Sequence, residues 1–340
     1  MHAVTRKSPL VHAGGSWSHV DAIEITVSYE GFIGRGSSSI PFHETSDDAR
    51  TFLDALAREK VPNPFDRLEW SQLIERLPRS NAARASLNSA LFDLSGIILN
   101  TPLYRLLGVP LPTIPTCGTV SLASPFVMTQ EARAKATRFK RLKVKLGAGD
   151  ELDVARLEAI RGTTDCPIMV DVNGGWTYEE ASRRLPQLRR LNFELVEQPL
   201  KARSADQERL WRSTPLPLFL DEDCIDIDDI ATCSRKSNGV NVKLSKCGGI
   251  DQVIEMCRTA KMLGLKVMIG CGIESNLAIA AAAHISGIAD YVDLDGNLST
   301  EADDIAGVQF VDGVQMPLDL PGIGSQRYRD LPSSNQNTDE

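Results

Sequence analysis

Two lysines sit one residue apart in the apolar run Leu142-Lys143-Val144-Lys145-Leu146. Alternate strand residues share a face, so both ammonium groups point the same way and repel each other. Such crowding is costly on a solvated surface, but it can lower a lysine pKa towards that of a working base. The apolar runs that follow also end in charge: Ile168-Met169-Val170-Asp171, Leu195-Val196-Glu197, Leu218-Phe219-Leu220-Asp221 and Val240-Asn241-Val242-Lys243. Counted from Lys145, the steps to Asp171, Glu197, Asp221 and Lys243 are 26, 26, 24 and 22 residues. Each step holds one strand, one helix and two loops, so a functional group falls at the end of each strand.

Asp171, Glu197 and Asp221 end three successive strands and are expected to converge. Without a cation three crowded carboxylates repel and take up protons. Hard divalent cations prefer oxygen ligands, and magnesium is typically left with positions open to water or substrate oxygens. No histidine lies near these strand ends, which speaks against zinc. Lys145 and Lys243 flank the trio in strand order. That geometry suits removal of a proton from carbon beside a metal-bound carboxylate, with one lysine as base, the other as acid and the metal stabilising the enediolate.

The elements that must position these groups form two regions. Residues 1–110 read as strands followed by helices, an α+β domain. A strand is expected over Ala22–Tyr29, a glycine-punctuated strand after Gly31, and helices from Thr45 to Lys60, Asp66 to Leu77 and Asn81 onward. Residues 111–298 hold seven strand–helix pairs and a last strand, eight strands in all, which predicts a closed parallel barrel with its chemistry on the rim that follows the strands. Residues 299–324 are expected to return to the first domain, and 325–340 to form a flexible tail.

Lys143-Val144-Lys145, Asp171-Val172-Asn173, Glu197-Gln198-Pro199, Asp221-Glu222 and Asn241-Val242-Lys243-Leu244-Ser245-Lys246-Cys247-Gly248-Gly249 resemble the enolase superfamily, in its muconate lactonizing subgroup. The resemblance spans nearly the whole chain. It implies a modified TIM barrel, (β/α)7β, under an α+β capping domain, one Mg2+ per subunit on Asp171, Glu197 and Asp221, and acid/base lysines at Lys145 and Lys243. Asp221 is preferred to Asp223 because it closes the apolar run and matches the Asp-Glu pair. Asp293-Leu294-Asp295 is similar to the Asp-x-Asp of dipeptide epimerases, which holds the substrate's α-ammonium group. The same resemblance makes Thr119, Lys143, Cys271 and Ile273 substrate contacts, with Lys143 holding a carboxylate oxygen and lowering the pKa of Lys145. The partner it implies is a small dipeptide. One departure stands out in the specificity loop, about 9–21. Alanyl-glutamate epimerases carry a basic residue there, whereas this loop has no Lys or Arg and Gly15 stands at the arginine position. Alanyl-glutamate is therefore disfavoured, and Trp17 suits an apolar second residue.

Rival readings are an N-acylamino acid racemase, an o-succinylbenzoate synthase or cycloisomerase, a Schiff-base aldolase at Lys243, and a non-catalytic binding barrel. Acylated or nitrogen-free substrates leave Asp293 and Asp295 without the positive charge they invite. The 340 residues carry a net charge of −8, which argues against nucleic acid and anionic membranes as partners. Seven cysteines with no C-x-x-C pair suggest neither a disulfide framework nor a thiolate zinc site. No secretory signal is evident, and the apolar stretch Leu277–Ile288 is too short to span a bilayer, so a cytoplasmic protein is expected. A homo-oligomer is left open.

Overall fold

The computed structural model describes residues 1–301, 304–327 and 329. Most of the tail expected at 325–340 lies outside them. The N-terminal region forms an antiparallel sheet of β1 (His2–His12), β2 (Gly15–Tyr29) and β3 (Phe32–Ser39), in that order. Three helices follow: α1 (Ser46–Leu56), α2 (Arg67–Arg76) and α3 (Asn81–Ile98). Thr45, Asp66 and Ser80 cap them, each side chain accepting from a backbone N–H of the first turn. The glycines of β3 have a packing cause. A Cβ on Gly34 would stand 2.3 Å from the carbonyl oxygen of Ala90, and one on Gly36 2.1 Å from that of Ser86. Only glycine lets α3 lie this close to the strand. Ile23, Phe52, Trp70, Leu73, Leu87 and Leu91 fill the core between them, each large side chain contributing about 1.5–3 kcal/mol by burial.

After the short α4 (Leu103–Leu107) the alternation begins with β4 (Gly118–Val120), α5 (Pro125–Ala136), β5 (Leu142–Lys145) and α6 (Asp153–Arg161). It continues through β6 (Ile168–Asp171), α7 (Tyr178–Arg190), β7 (Leu195–Glu197), α8 (Gln207–Ser213), β8 (Leu218–Leu220) and α9 (Ile227–Cys233). It ends with β9 (Gly239–Val242), α10 (Leu244–Cys247), α11 (Ile250–Met262), β10 (Lys266–Gly270), α12 (Asn276–Ile285) and β11 (Tyr291–Asp293). The eight strands are parallel neighbours in chain order, and a bridge between Thr116 and Val292 joins the first to the last. This is the modified TIM barrel, (β/α)7β. Inside it Cys117, Met169, Leu195, Phe219 and Met268 form an apolar plug. Two residues further along β6, β7 and β8, on the same face, stand Asp171, Glu197 and Asp221. The change from Met, Leu and Phe to acid marks the floor of the site.

The segment expected as a loop at 9–21 is instead a β-hairpin. Leu10 pairs with Trp17 and His12 with Gly15, so the turn is only Ala13-Gly14. Strand pairing and docking hold it: the backbone N–H of Leu122 donates to the carbonyl of Val11 at 2.8 Å. Chain beyond the barrel forms a second hairpin, β12 (Val308–Val311) and β13 (Val314–Pro317). It then reaches α3, where Asp93 accepts from the N–H of Ile323 at 2.8 Å and from Ser325 Oγ at 2.6 Å. Among the described residues, no helix is long and apolar enough to cross a membrane.

Candidate active site

Parallel register sets the rim. Lys145 pairs with Asp171, and Asp171 with Glu197, so three strand ends present their groups in one row. Above that row lies a cavity of about 210 Å³ between the barrel and the N-terminal hairpin. Lys143, Lys145, Asp221 and Lys243 line it, as do Thr119, Cys271, Ile273, Asp293 and Asp295. Asp171 and Glu197 lie buried beneath its wall.

Ammonium groups sit on the carboxylates throughout. Lys145 Nζ lies 2.6 Å from Asp171 Oδ2 and donates to Asn173 Oδ1 at 3.0 Å. Lys243 Nζ lies 2.7 Å from Asp221 Oδ2. Lys143 Nζ touches three acids, at 3.0 Å from Asp171, 2.9 Å from Glu197 and 2.6 Å from Asp293. Burial disfavours the charge of Lys143, but Asp171, Asp293 and Glu197 outweigh it and hold the amine well above the ordinary lysine range. Lys243 is raised in the same way, with Asp221 overcoming burial. Asp171 and Asp221 are both held below the usual carboxylate range, because their lysines outweigh burial.

Glu197 is the exception, and it decides whether a divalent cation fits. Burial, then the charge of Asp171, push its carboxyl up to about 7. Its Oε1 accepts from Asn241 Nδ2 at 2.9 Å. Its buried Oε2 lies 2.9 Å from Lys143 Nζ but outside hydrogen-bond geometry, and has no other partner. Among the described residues, no three Asp, Glu, His or Cys side chains already form a metal cage; the lysines hold these oxygens. All-oxygen donors, a buried lone pair to spare and a repulsion that a dication would cancel nonetheless fit magnesium.

Asp223 faces away, held by Lys236 at 2.5 Å, Gln198 at 2.7 Å and the N–H of Arg203 at 2.9 Å. The strand ends carry strain: Asn173 (φ 47°) and Gln198 (φ 38°) are left-handed, a conformation that costs of order 1–3 kcal/mol each in non-glycine residues. Gln198 is fixed there because its Oε1 accepts from the backbone N–H groups of Asp221 and Asp223.

At the other side of the cavity Asp293 accepts from Cys117 Sγ as well as Lys143, while Asp295 accepts from the N–H of Thr119 at 2.7 Å and its Oγ1 at 3.2 Å. The two acids share the cavity, but Asp293 already has a cation. Burial, then Asp293, raise the carboxyl of Asp295. The thiol of Cys271 is pushed well up by burial and stays neutral.

Several residues of the site escaped the strand-end pattern. Lys246 is fully buried and reaches Asp221 Oδ1 at 2.5 Å and the carbonyls of Asp221, Cys224 and Asn241 at 2.7–2.9 Å. Its signal was a second lysine three residues after Lys243, one helical turn on. Glu222, whose carboxyl burial and Asp221 raise to about 7, accepts from Asn173. Glu274 ties barrel to cap by accepting from the N–H of Ser39 at 2.9 Å. From the hairpin, His12 stacks on Trp17 with ring centroids 6.3 Å apart, and both line the cavity. So does Arg6 of β1, which lies just before the segment searched for a basic residue.

A sequence profile of the family described as Enolase C-terminal domain-like matches residues 127–330. The chain is 35% identical to an L-Ala-D/L-Glu epimerase of Bacteroides thetaiotaomicron, over 89% of this chain and 80% of that protein. It is 39% identical to a hydrophobic dipeptide epimerase of Roseobacter litoralis, over 71% of this chain and 72% of that protein. Its fold matches the crystal structure of a dipeptide epimerase from Cytophaga hutchinsonii complexed with Mg and D-Ala-L-Val. The TM-score is 0.90 at 28% identity, covering 98% of this chain and 95% of that one.

Proposed function

Since this chain belongs to the enolase superfamily, in the branch of the dipeptide epimerases, we propose that it epimerises the α-carbon of a dipeptide's C-terminal residue with Lys145 and Lys243 as base and acid. One observation carries the reading: two amines from strand ends on opposite sides of the acidic trio line the same cavity, one resting on Asp171 and the other on Asp221. Removal of a proton on one side and return on the other inverts the carbon between them. Magnesium held by Asp171, Glu197 and Asp221 would supply the charge that offsets the enediolate. Asp221, outweighing burial, holds the proton of Lys243, and that amine becomes available as a base only once Asp221 is engaged otherwise.

Asp295, with Asp293 beside it, would take the substrate's ammonium, and Thr119 would hold Asp295 in place. Lys143 would serve the substrate carboxylate. Cys271 and Ile273 would pack against the peptide. Leu10, Trp17, Val20, Ile40 and Phe42 line the remaining wall, which suits an apolar C-terminal side chain. The hairpin's lack of Lys and Arg over 9–21 disfavours alanyl-glutamate. Seven unpaired cysteines accord with a cytoplasmic setting. A second reading, an N-acylamino acid racemase, is favoured by the Lys143–Asp293 pair, since one of the two acids needs no ammonium.

The test is incubation of L,L-dipeptides with the enzyme and magnesium in deuterium oxide. Ala-Leu gaining one mass unit at the leucine α-carbon, with appearance of the L,D epimer, is the expected result. No exchange across a broad dipeptide library would sink the proposal, and exchange of N-acetyl-Leu alone would favour the racemase.

A further inference from the structure

Arg6 is a cation in the cavity wall that the two-lysine reaction does not use. Its Nε donates to the carbonyl of Ser8 at 3.0 Å, and among the described residues its guanidinium makes no ion pair. β1 fixes its place, since the backbone of Arg6 bridges to Thr300 just beyond β11. The groups whose fields reach it are Asp295, Glu131 and Cys271. Two of these are already satisfied or neutral. Glu131 is paired with Lys135 at 2.8 Å and accepts from the N–H of Ser121. Cys271 is a neutral thiol.

That leaves Asp295 facing Arg6 from beyond ion-pair contact. Asp293 has Lys143 at 2.6 Å. A substrate ammonium that settles on Asp295 therefore cancels the strongest of the anionic fields that compensate Arg6. The half-buried guanidinium, whose charge burial already disfavours, is then short of a partner and demands an anion. In an aspartyl or glutamyl residue the ammonium and the side-chain carboxylate spring from the same α-carbon, so one residue can serve both groups. We propose that Arg6 is a specificity residue that selects dipeptides with an acidic N-terminal side chain, Asp-Xaa or Glu-Xaa. The inference rests on the dipeptide reading above.

The experiment compares kcat/KM for Asp-Leu and Ala-Leu, read as deuterium uptake at the leucine α-carbon, in the magnesium-loaded enzyme. The expected ratio favours Asp-Leu by about 10–100-fold, the range of one charge-assisted contact. Arg6→Gln should bring the ratio close to one, chiefly through KM, and Arg6→Lys should retain part of it. Because the readout is a ratio within one variant, partial loss of folded protein does not mimic the effect. N-succinyl-Leu is Asp-Leu without its ammonium, and it should exchange poorly. Equal wild-type rates on the two dipeptides, or a preference that survives Arg6→Gln, would overturn the role of Arg6 alone. Equal exchange of N-succinyl-Leu would overturn the proposal in favour of an N-acyl substrate. Failure of both dipeptides to exchange would refute the epimerase reading itself.

Discussion

Replacing each amine with methionine separates two-base from one-base chemistry. In Lys145→Met, Asp171 loses a partner at 2.6 Å but keeps Lys143 at 3.0 Å. In Lys243→Met, Asp221 loses a partner at 2.7 Å but keeps Lys246 at 2.5 Å. Neither carboxylate is left bare, so both variants should fold. A positioned acid or base contributes about 10²–10⁴-fold. Every inversion needs both lysines, so epimerisation should fall by at least that factor in either variant. Exchange without inversion needs only the lysine on the side of the α-hydrogen. Proton NMR in deuterium oxide, run separately on Ala-L-Leu and Ala-D-Leu, should show each variant exchanging one epimer and the two variants exchanging opposite ones. If both variants lost the same epimer, or either kept wild-type epimerisation, the placement of the amines on opposite sides of the carbon would be wrong.

A Cβ added at Gly175 would meet the carbonyl oxygen of Gly147 at 2.6 Å and the Cβ of Ala13 at 2.9 Å. Gly175→Ala should therefore push the hairpin tip off the rim and raise KM for Ala-Leu several-fold, and lower the melting temperature because the Gly147 backbone must also give way; an unchanged KM would show that the tip does not help cover the cavity. Lys246→Met should cost about 3–5 kcal/mol in urea unfolding, the usual penalty for breaking a buried pair, and wild-type stability would show that its acceptors have other donors. Burial raises the carboxyl of Asp93 to about 6 against hydrogen bonds from Ser325 and the N–H groups of Arg35 and Ile323. A carboxyl raised on folding stabilises the native state fully below its unfolded pKa, near 4, and loses that contribution as pH rises through 6, so Asp93→Ala should cost about 2 kcal/mol more at pH 4 than at pH 7. Equal urea midpoint shifts at the two pH values would contradict that.

The barrel was legible because its strands are short apolar runs separated by one helix each, and because parallel strands carry their rim groups at the ends. Asp171, Glu197 and Asp221 could be found by spacing alone for that reason. The hairpin was not legible. His12-Ala13-Gly14-Gly15-Ser16 reads as a loop, since glycine and serine have weak strand preference. Its strand character comes from pairing Leu10 with Trp17 and from docking Val11 on Leu122, both non-local. The caps of α1 and α3, Thr45 and Ser80, fall just before the amphipathic runs and mark those starts.

Side-chain partnership was less legible than position. Lys143 and Lys145 share a strand face, and crowding of like charge predicts a lowered amine. What the sequence hides is how many acids the fold brings to Lys143: one from β6, one from β7 and one from β11, spread over 150 residues of chain between Lys143 and Asp293. Burial opposes the charge most strongly, but attraction to three carboxylates outweighs it, so Lys143 rises instead. The same contacts give it a place that neither neighbour has. It touches two of the trio, Asp171 and Glu197, and also the acid at the opposite side of the cavity, Asp293. A charge added at either end must therefore act through Lys143 on the other. That coupling, unlike the spacing of strand ends, exists only once the barrel is closed.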